Sequence, residues 1–240
     1  MKKWILRIGI TLWLTCSAIT LQHVYSEPNL PKLYRDVSPA VVWIGAEYDE
    51  DYPGYDPYHY GTKWQGTGFF VTPNLIATAG HMVEDTKSFE VMFSDGTRAK
   101  ADFVHMENLD RCDVGFIVLR SKHRKDRPYL NLDTEIEIGE DLIILGYPHG
   151  LNNGITLTKG VVSLLNRDEP YFGTKLVIHT DTAAWYGNSG GPVIDMDGEV
   201  VGIYIGLEVG YDNFSIVTPA RLVELAMQKA IAEIGLREMK

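Results

Sequence analysis

Cysteine is nearly absent from this chain: Cys16 and Cys112 are the only two in 240 residues. Cys16 falls in an N-terminal stretch with the features of a leader, so a single cysteine remains and no intrachain disulfide can form. Acids are absent before Glu27, whereas Lys2, Lys3 and Arg7 flank an apolar stretch from Trp4 to about Ile19. That layout is a secretory signal peptide over residues 1–26, with Val24 and Ser26 small enough for the cleavage positions, although the Ala-x-Ala form is missing. The rival is an uncleaved anchor, but the stretch is short for a full membrane span of ~20 residues. Trp13-Leu14-Thr15 before Cys16 makes a poor lipoprotein signal. Positive charge is scarce: 22 Lys and Arg against 32 Asp and Glu leave a net charge of −10. This acidity excludes nucleic-acid binding driven by electrostatics. Internal repeats and long low-complexity linkers are absent too, so residues 27–240 read as one large domain.

The most informative segment present is Gly187-Asn188-Ser189-Gly190-Gly191, followed by the apolar run Pro192-Val193-Ile194. A serine hydroxyl is a weak nucleophile until a base takes its proton. Flanking glycines let the backbone bend sharply and bring N–H groups close to a substrate oxygen. All seven histidines precede Ser189. This excludes the α/β-hydrolase reading of Gly187-x-Ser189-x-Gly191, because that fold requires the order Ser, acid, His. The order His, Asp, Ser remains.

His81 is the candidate base, at the end of the short apolar run Leu75-Ile76-Ala77-Thr78-Ala79-Gly80, whose small residues leave room for an imidazole. Asp113 is the candidate carboxylate, because it opens the unbroken apolar run Val114 to Leu119; Asp110 is its rival and does not abut that run. An acid at the mouth of a buried strand can orient a histidine and stabilise the imidazolium. Cys112 reads as a small half-buried neighbour of Asp113 rather than a nucleophile.

Between Val37 and Thr218 short apolar runs alternate with turn signals. Candidate strands are 41–46, 69–71, 75–78, 89–93, 114–119, 142–145, 156–165, 176–179, 193–195, 200–205 and 214–217, with hairpin-type turns at Ser94-Asp95-Gly96 and Asp195-Met196-Asp197-Gly198. The spacing predicts an all-β sandwich or barrel. The tail differs. Thr218 is placed as an N-cap with Pro219 at the first helical position, and Val223, Met227, Ala230, Ile231 and Ile234 share one helical face as far as a C-cap at Gly235. A terminal helix over 219–235, packed on the second half of the domain, is expected. Residues 47–64 form an acidic, tyrosine-rich insertion. Asp49, Glu50, Asp51, Asp56 and His59 lack any metal-ligand spacing or EF-hand pattern, so no metal is expected there. Asn213-Phe214-Ser215 is a formal glycosylation sequon.

Thr78-Ala79-Gly80-His81, Asp113-Val114-Gly115 and Gly187-Asn188-Ser189-Gly190-Gly191-Pro192 resemble the three motifs of trypsin-like serine proteases. Val37-Ser38-Pro39-Ala40-Val41-Val42, Gly66-Thr67-Gly68-Phe69-Phe70-Val71, Gly146-Tyr147-Pro148-His149-Gly150-Leu151 and Thr158-Lys159-Gly160-Val161-Val162-Ser163 resemble the HtrA/Deg branch more narrowly. The likeness runs from about residue 33 to 220 in order. It implies two six-stranded antiparallel β-barrels, about 33–125 and 130–218, joined near 122–138, with the site in the cleft between them and the helix after them. It implies Ser189 as nucleophile, His81 as proton shuttle, Asp113 as orienting acid, and the N–H groups of Gly187 and Ser189 as oxyanion hole. Protein or peptide substrates follow, hydrolysed through an acyl-enzyme without a cofactor.

The same resemblance places the pocket for the residue before the cut at 183–187 and 202–206, with Ala183 at its base and Trp185, Tyr204 and Ile205 along it. Without an acid at Ala183, Lys and Arg are disfavoured there, and small or medium apolar residues fit better. Asn188 stands where digestive relatives carry an aspartate that pairs with a new N-terminus, so activation by terminal cleavage is not expected. Trp185-Tyr186 replace the small or basic residues usual in HtrA enzymes. Few cysteines and a leader together suit a bacterial periplasmic or secreted protein, membrane-bound only if the leader stays uncleaved. The chain is too short for the PDZ module that usually follows. The 47–64 insertion is expected to serve as an oligomer contact or regulatory lid. The alternatives are a latent protease-fold binding or regulatory protein, and an esterase.

Overall fold

The computed structural model describes residues 29–48, 63–107, 112–120, 127–149, 154–169, 174–208 and 214–239. The expected leader, most of the 47–64 insertion, the charged linker 122–126 and Asn213 of the sequon lie outside the described residues. The chain opens with helix α1 (Leu30–Val37) and a short 3₁₀ turn (Ser38–Ala40). Strands β1 (Val41–Tyr48), β2 (Lys63–Phe70), β3 (Leu75–Thr78), β4 (Thr86–Met92), β5 (Arg98–Met106) and β6 (Gly115–Leu119) close into one antiparallel barrel in the order β1-β2-β3-β6-β5-β4. Strands β7 (Asp141–Gly146), β8 (Thr156–Glu169), β9 (Thr174–Thr180), β10 (Pro192–Ile194), β11 (Val200–Leu207) and β12 (Ser215–Pro219) close a second in the order β10-β11-β12-β9-β8-β7. Helix α2 (Ala220–Glu238) follows. This is the expected pair of six-stranded barrels with a terminal helix. Closure removes the unpaired sheet edges that would otherwise invite aggregation.

Four details depart from the sequence reading. Strand β5 was not expected, because its inward residues are small: Ala99 and Ala101 are buried between exposed Arg98, Lys100 and Asp102, and a bulge between Phe103 and His105 breaks the alternation. Helix α1 was not expected either, although Asn29 caps it through Lys32 N–H and a proline sits in its first turn. Helix α2 starts at Ala220, with Pro219 extended and acting as the cap residue, while Thr218 is buried in β12. Its end runs past Gly235 because Arg237 donates to the carbonyls of Phe103 (2.7 Å) and Val104 (3.0 Å) and so ties the last turn down.

Helix α2 also lies against both barrels rather than the second alone, touching β5 as well as β11 and β12. Val223, Ala226 and Ala230 form its buried face and belong to the same apolar cluster as Phe69, Phe116, Ile203 and Ile216. Small alanines let the helix axis approach the strands closely. Ile231, expected on that face, is 47 % exposed.

Candidate active site

Strand β3 delivers His81. All four of its residues are buried, and Ala79 and Gly80 lead into a tight 3₁₀ turn (Gly80–Met82) that carries the imidazole. Strand β6 runs antiparallel to it, with Thr78 opposite Gly115. Counting outward from that pair, His81 and Asp113 leave the same end of the barrel side by side. Asp113 is 2 % exposed. Its Oδ1 accepts the backbone N–H of His81 at 2.7 Å, and its Oδ2 lies 2.6 Å from Nδ1 of the same ring. A carboxylate can only accept there, so in the neutral ring Nδ1 carries the proton and Nε2 keeps a lone pair. Burial alone would lower the pKa of His81, but the charge of Asp113 and its hydrogen bond outweigh burial and raise it, with Glu84 adding to the effect. Glu84 is itself held above the ordinary carboxyl range by burial and by Asp85 and Asp113. The rival Asp110 lies outside the described residues.

Ser189 comes from the second barrel, on the turn between β9 and β10. Gly187 (φ +95°) and Gly190 (φ +85°) adopt left-handed backbone that favours glycine. The N–H groups of Asn188, Gly190 and Gly191 donate to Trp185 O, Tyr204 O and Asn188 O. Those of Gly187 and Ser189 donate to no acceptor among the described residues. The Tyr186 carbonyl accepts the His149 N–H at 2.6 Å. Across a trans peptide C=O and N–H point in opposite directions, so this bond turns the Gly187 N–H away from His149. Ser189 Oγ makes no hydrogen bond among the described residues.

Thr67 of β2 was not singled out from the sequence, yet it braces this turn. Its Oγ1 donates to Gly187 O (2.7 Å) and accepts from Tyr147 N–H (2.9 Å), and its own N–H donates to Ser189 O (2.8 Å). Thr78 Oγ1 donates to Thr67 O at 2.7 Å. The signal was the pair of glycines around it, since glycine inside a strand marks a close backbone approach. A Cβ on Gly66 would stand 2.9 Å from Ser189 O, and one on Gly68 would stand 2.9 Å from Ala77 O.

His81, Asp113, Gly187 and Ser189 line one cavity of about 970 Å³. Tyr204 and Ile205 line it too, but Ala183 and Trp185 do not. Ala183 is exposed, with its carbonyl accepting from Thr158 Oγ1 at 2.6 Å, and Trp185 is 57 % exposed, edge-on to Tyr186. Tyr186 takes the lining position beside the turn instead. Desolvation, with Tyr186 nearby, pushes the Tyr204 phenol far up, so that ring stays neutral. The cavity contains an acid the sequence reading did not place there: Glu208, whose Oε2 is 3.2 Å from Nε2 of buried His179.

Residues 66–203 match the family model of the trypsin-like peptidase domain, more than half of the chain. The chain belongs to the trypsin-like peptidases. Among curated members it is 30 % identical over 176 residues to the probable periplasmic serine endoprotease DegP-like of Chlamydia pneumoniae, covering 70 % of this chain and 35 % of that protein. It is 34 % identical over 143 residues to the serine protease HTRA1 of Xenopus laevis, covering 58 % of this chain and 30 % of that one. It thus spans about a third of the length of these relatives. Among solved structures, the HtrA-type protease AlgW with a tripeptide superposes with a TM-score of 0.71 at 21 % identity, over 85 % of this chain and 64 % of that one, and shares the peptidase fold. Among the described residues of this trypsin-like peptidase, no helix is long and apolar enough to cross a membrane.

Proposed function

We propose that the chain is a serine endopeptidase that cuts exported or envelope proteins through His81, Asp113 and Ser189. The observation that carries this reading is the Asp113 carboxylate, which holds both the backbone N–H and Nδ1 of His81 in a cavity shared with Ser189. Ser189 Oγ attacks the scissile carbonyl as Nε2 of His81 takes its proton, and Asp113 stabilises the imidazolium. The N–H groups of Gly187 and Ser189 receive the oxyanion, each such donor being worth about 3–4 kcal/mol in the transition state. His81 then passes the proton to the leaving amine. Water, activated by the same ring, releases the acyl group from Ser189.

Tyr204 and Ile205 support a cleft that takes an apolar residue before the cut, with the extended substrate pairing along β11. Glu208 lines the same cavity with its Oε2 3.2 Å from His179 Nε2. The basic, acid-free leader and the word periplasmic in the names of relatives support export. The 47–64 insertion remains the proposed contact for a homo-oligomer or a regulatory lid.

A fluorophosphonate probe tests the chemistry. The wild type should be labelled and Ser189→Ala should not; absence of labelling at every concentration would favour a latent binding protein. Casein cleavage then separates a peptidase from an esterase.

A further inference from the structure

The His105 ring stands between carboxylates from two different elements. Its Nδ1 is 2.6 Å from Glu233 Oε1 on α2, and its Nε2 is 3.1 Å from Glu107 Oε1, just past the end of β5. Lys229 Nζ on α2 reaches the same Glu107 oxygen. Two turns further along α2, Arg237 donates to the carbonyls of Phe103 and Val104 and lies 3.7 Å from Glu233. Val104 is the extra residue of the β5 bulge, where the register to β6 shifts, so the guanidinium holds the strand at that irregularity. His105 and Glu107 are only 15 % and 14 % exposed, so their pairing is weakly screened. Burial opposes ionisation of Glu107, yet Lys229 and His105 hold its carboxyl below the ordinary range.

The far side of this cluster reaches the residue next to the proposed catalytic acid. The Glu107 N–H donates to Val114 O at 3.0 Å, one rung beyond the last β5–β6 pair, Met106 with Gly115. Val114 directly follows Asp113, and both are buried. Meanwhile α2 leaves the second barrel immediately after β12 and lies across β5 of the first. We infer that Lys229, Glu233 and Arg237 are positioning residues: they fasten the end of β5 and, through the Glu107–Val114 rung, set the place of the Asp113 carboxylate against His81. The inference rests on Asp113 orienting His81, as proposed above.

Two readouts test it in the intact chain. In a Ser189→Ala background, NMR titration of the His81 ring should report a lower pKa in Glu233→Gln/Arg237→Ala than in its parent, because a displaced Asp113 no longer raises it. With Ser189 restored, the same pair should lower kcat by about ten- to a hundredfold, the scale of a small misplacement remote from the chemistry. KM should stay within about twofold, since ground-state binding is untouched. Glu107→Gln, which keeps the Arg237 anchor, should shift the titration in the same direction and serves if the double variant does not fold. Lys32→Ala, which breaks an exposed pair with Asp36 on α1, should change neither readout. Folded variants with an unmoved His81 titration and unchanged kcat would overturn the inference. Asp113→Asn separates the two claims: if it too leaves the His81 titration unmoved, the orienting role of Asp113 itself is wrong.

Discussion

At the scale of residues, His81 and Thr67 serve the proposed mechanism in different ways, one as its base and one as a brace. The folded His81 ring binds its proton more tightly than an unfolded one, because the attraction of Asp113 exceeds the cost of burial. The pair therefore adds stability that is fully present below the ordinary imidazole pKa of about 6.5 and is lost as pH rises through the elevated folded value. On the proposed mechanism activity runs the opposite way, since the base must be neutral. The acid limb of kcat/KM should lie above the ordinary imidazole value, and Asp113→Asn should move the limb to lower pH while reducing kcat by about ten-thousandfold. A pH–rate series on the two proteins checks both shifts. Thr67 acts through its partners. Thr67→Val keeps the shape but leaves Gly187 O and Tyr147 N–H unpaired in a buried place, at about 1–3 kcal/mol for each. Urea melts should show the loss, and kcat should fall more than KM. That His81, Asp113 and Ser189 share one cavity was legible, because each is flagged by its own neighbours in sequence. Thr67 was not, because its partners lie 120 and 80 residues away. Ala183 does not line that cavity, and the Thr158 hydrogen bond to its carbonyl comes from another strand, which its own neighbours could not announce.

Elements were legible where burial is written in large side chains. Leu75–Thr78 and the core of β11 stand out as apolar runs, and the helical face of α2 follows from Val223, Met227 and Ala230. Strand β5 was hidden by its two inward alanines and its bulge, features that make sense only beside β4 and β6. The end of α2 was hidden because Gly235 reads as a stop, whereas Arg237 is tied down by carbonyls of a distant strand. Packing under α2 is close at Ala226, which is 1 % exposed. Ala226→Leu should overfill this seam and destabilise the protein by about 1–3 kcal/mol, read by thermal melting. The same change on the solvent side of the helix, at Ala232, should be nearly neutral.

For the whole molecule, the division of labour between the barrels matters most. The first holds His81 and Asp113, the second holds Ser189, and α2 lies across both. The Thr67 brace crosses that division: a residue of β2 in the first barrel supports the Ser189 turn and Tyr147 of the second. Contacts so distant in sequence form late in folding, because loop closure must be completed before they contribute. A freshly made chain can therefore complete much of its strand pairing while the Ser189 turn still lacks its support. In refolding from urea, tryptophan fluorescence should recover before Ser189 accepts a fluorophosphonate; simultaneous recovery would count against this order. On the proposed mechanism, the reactive serine would then be the last feature the chain acquires, so that unfinished copies would be shielded from one another.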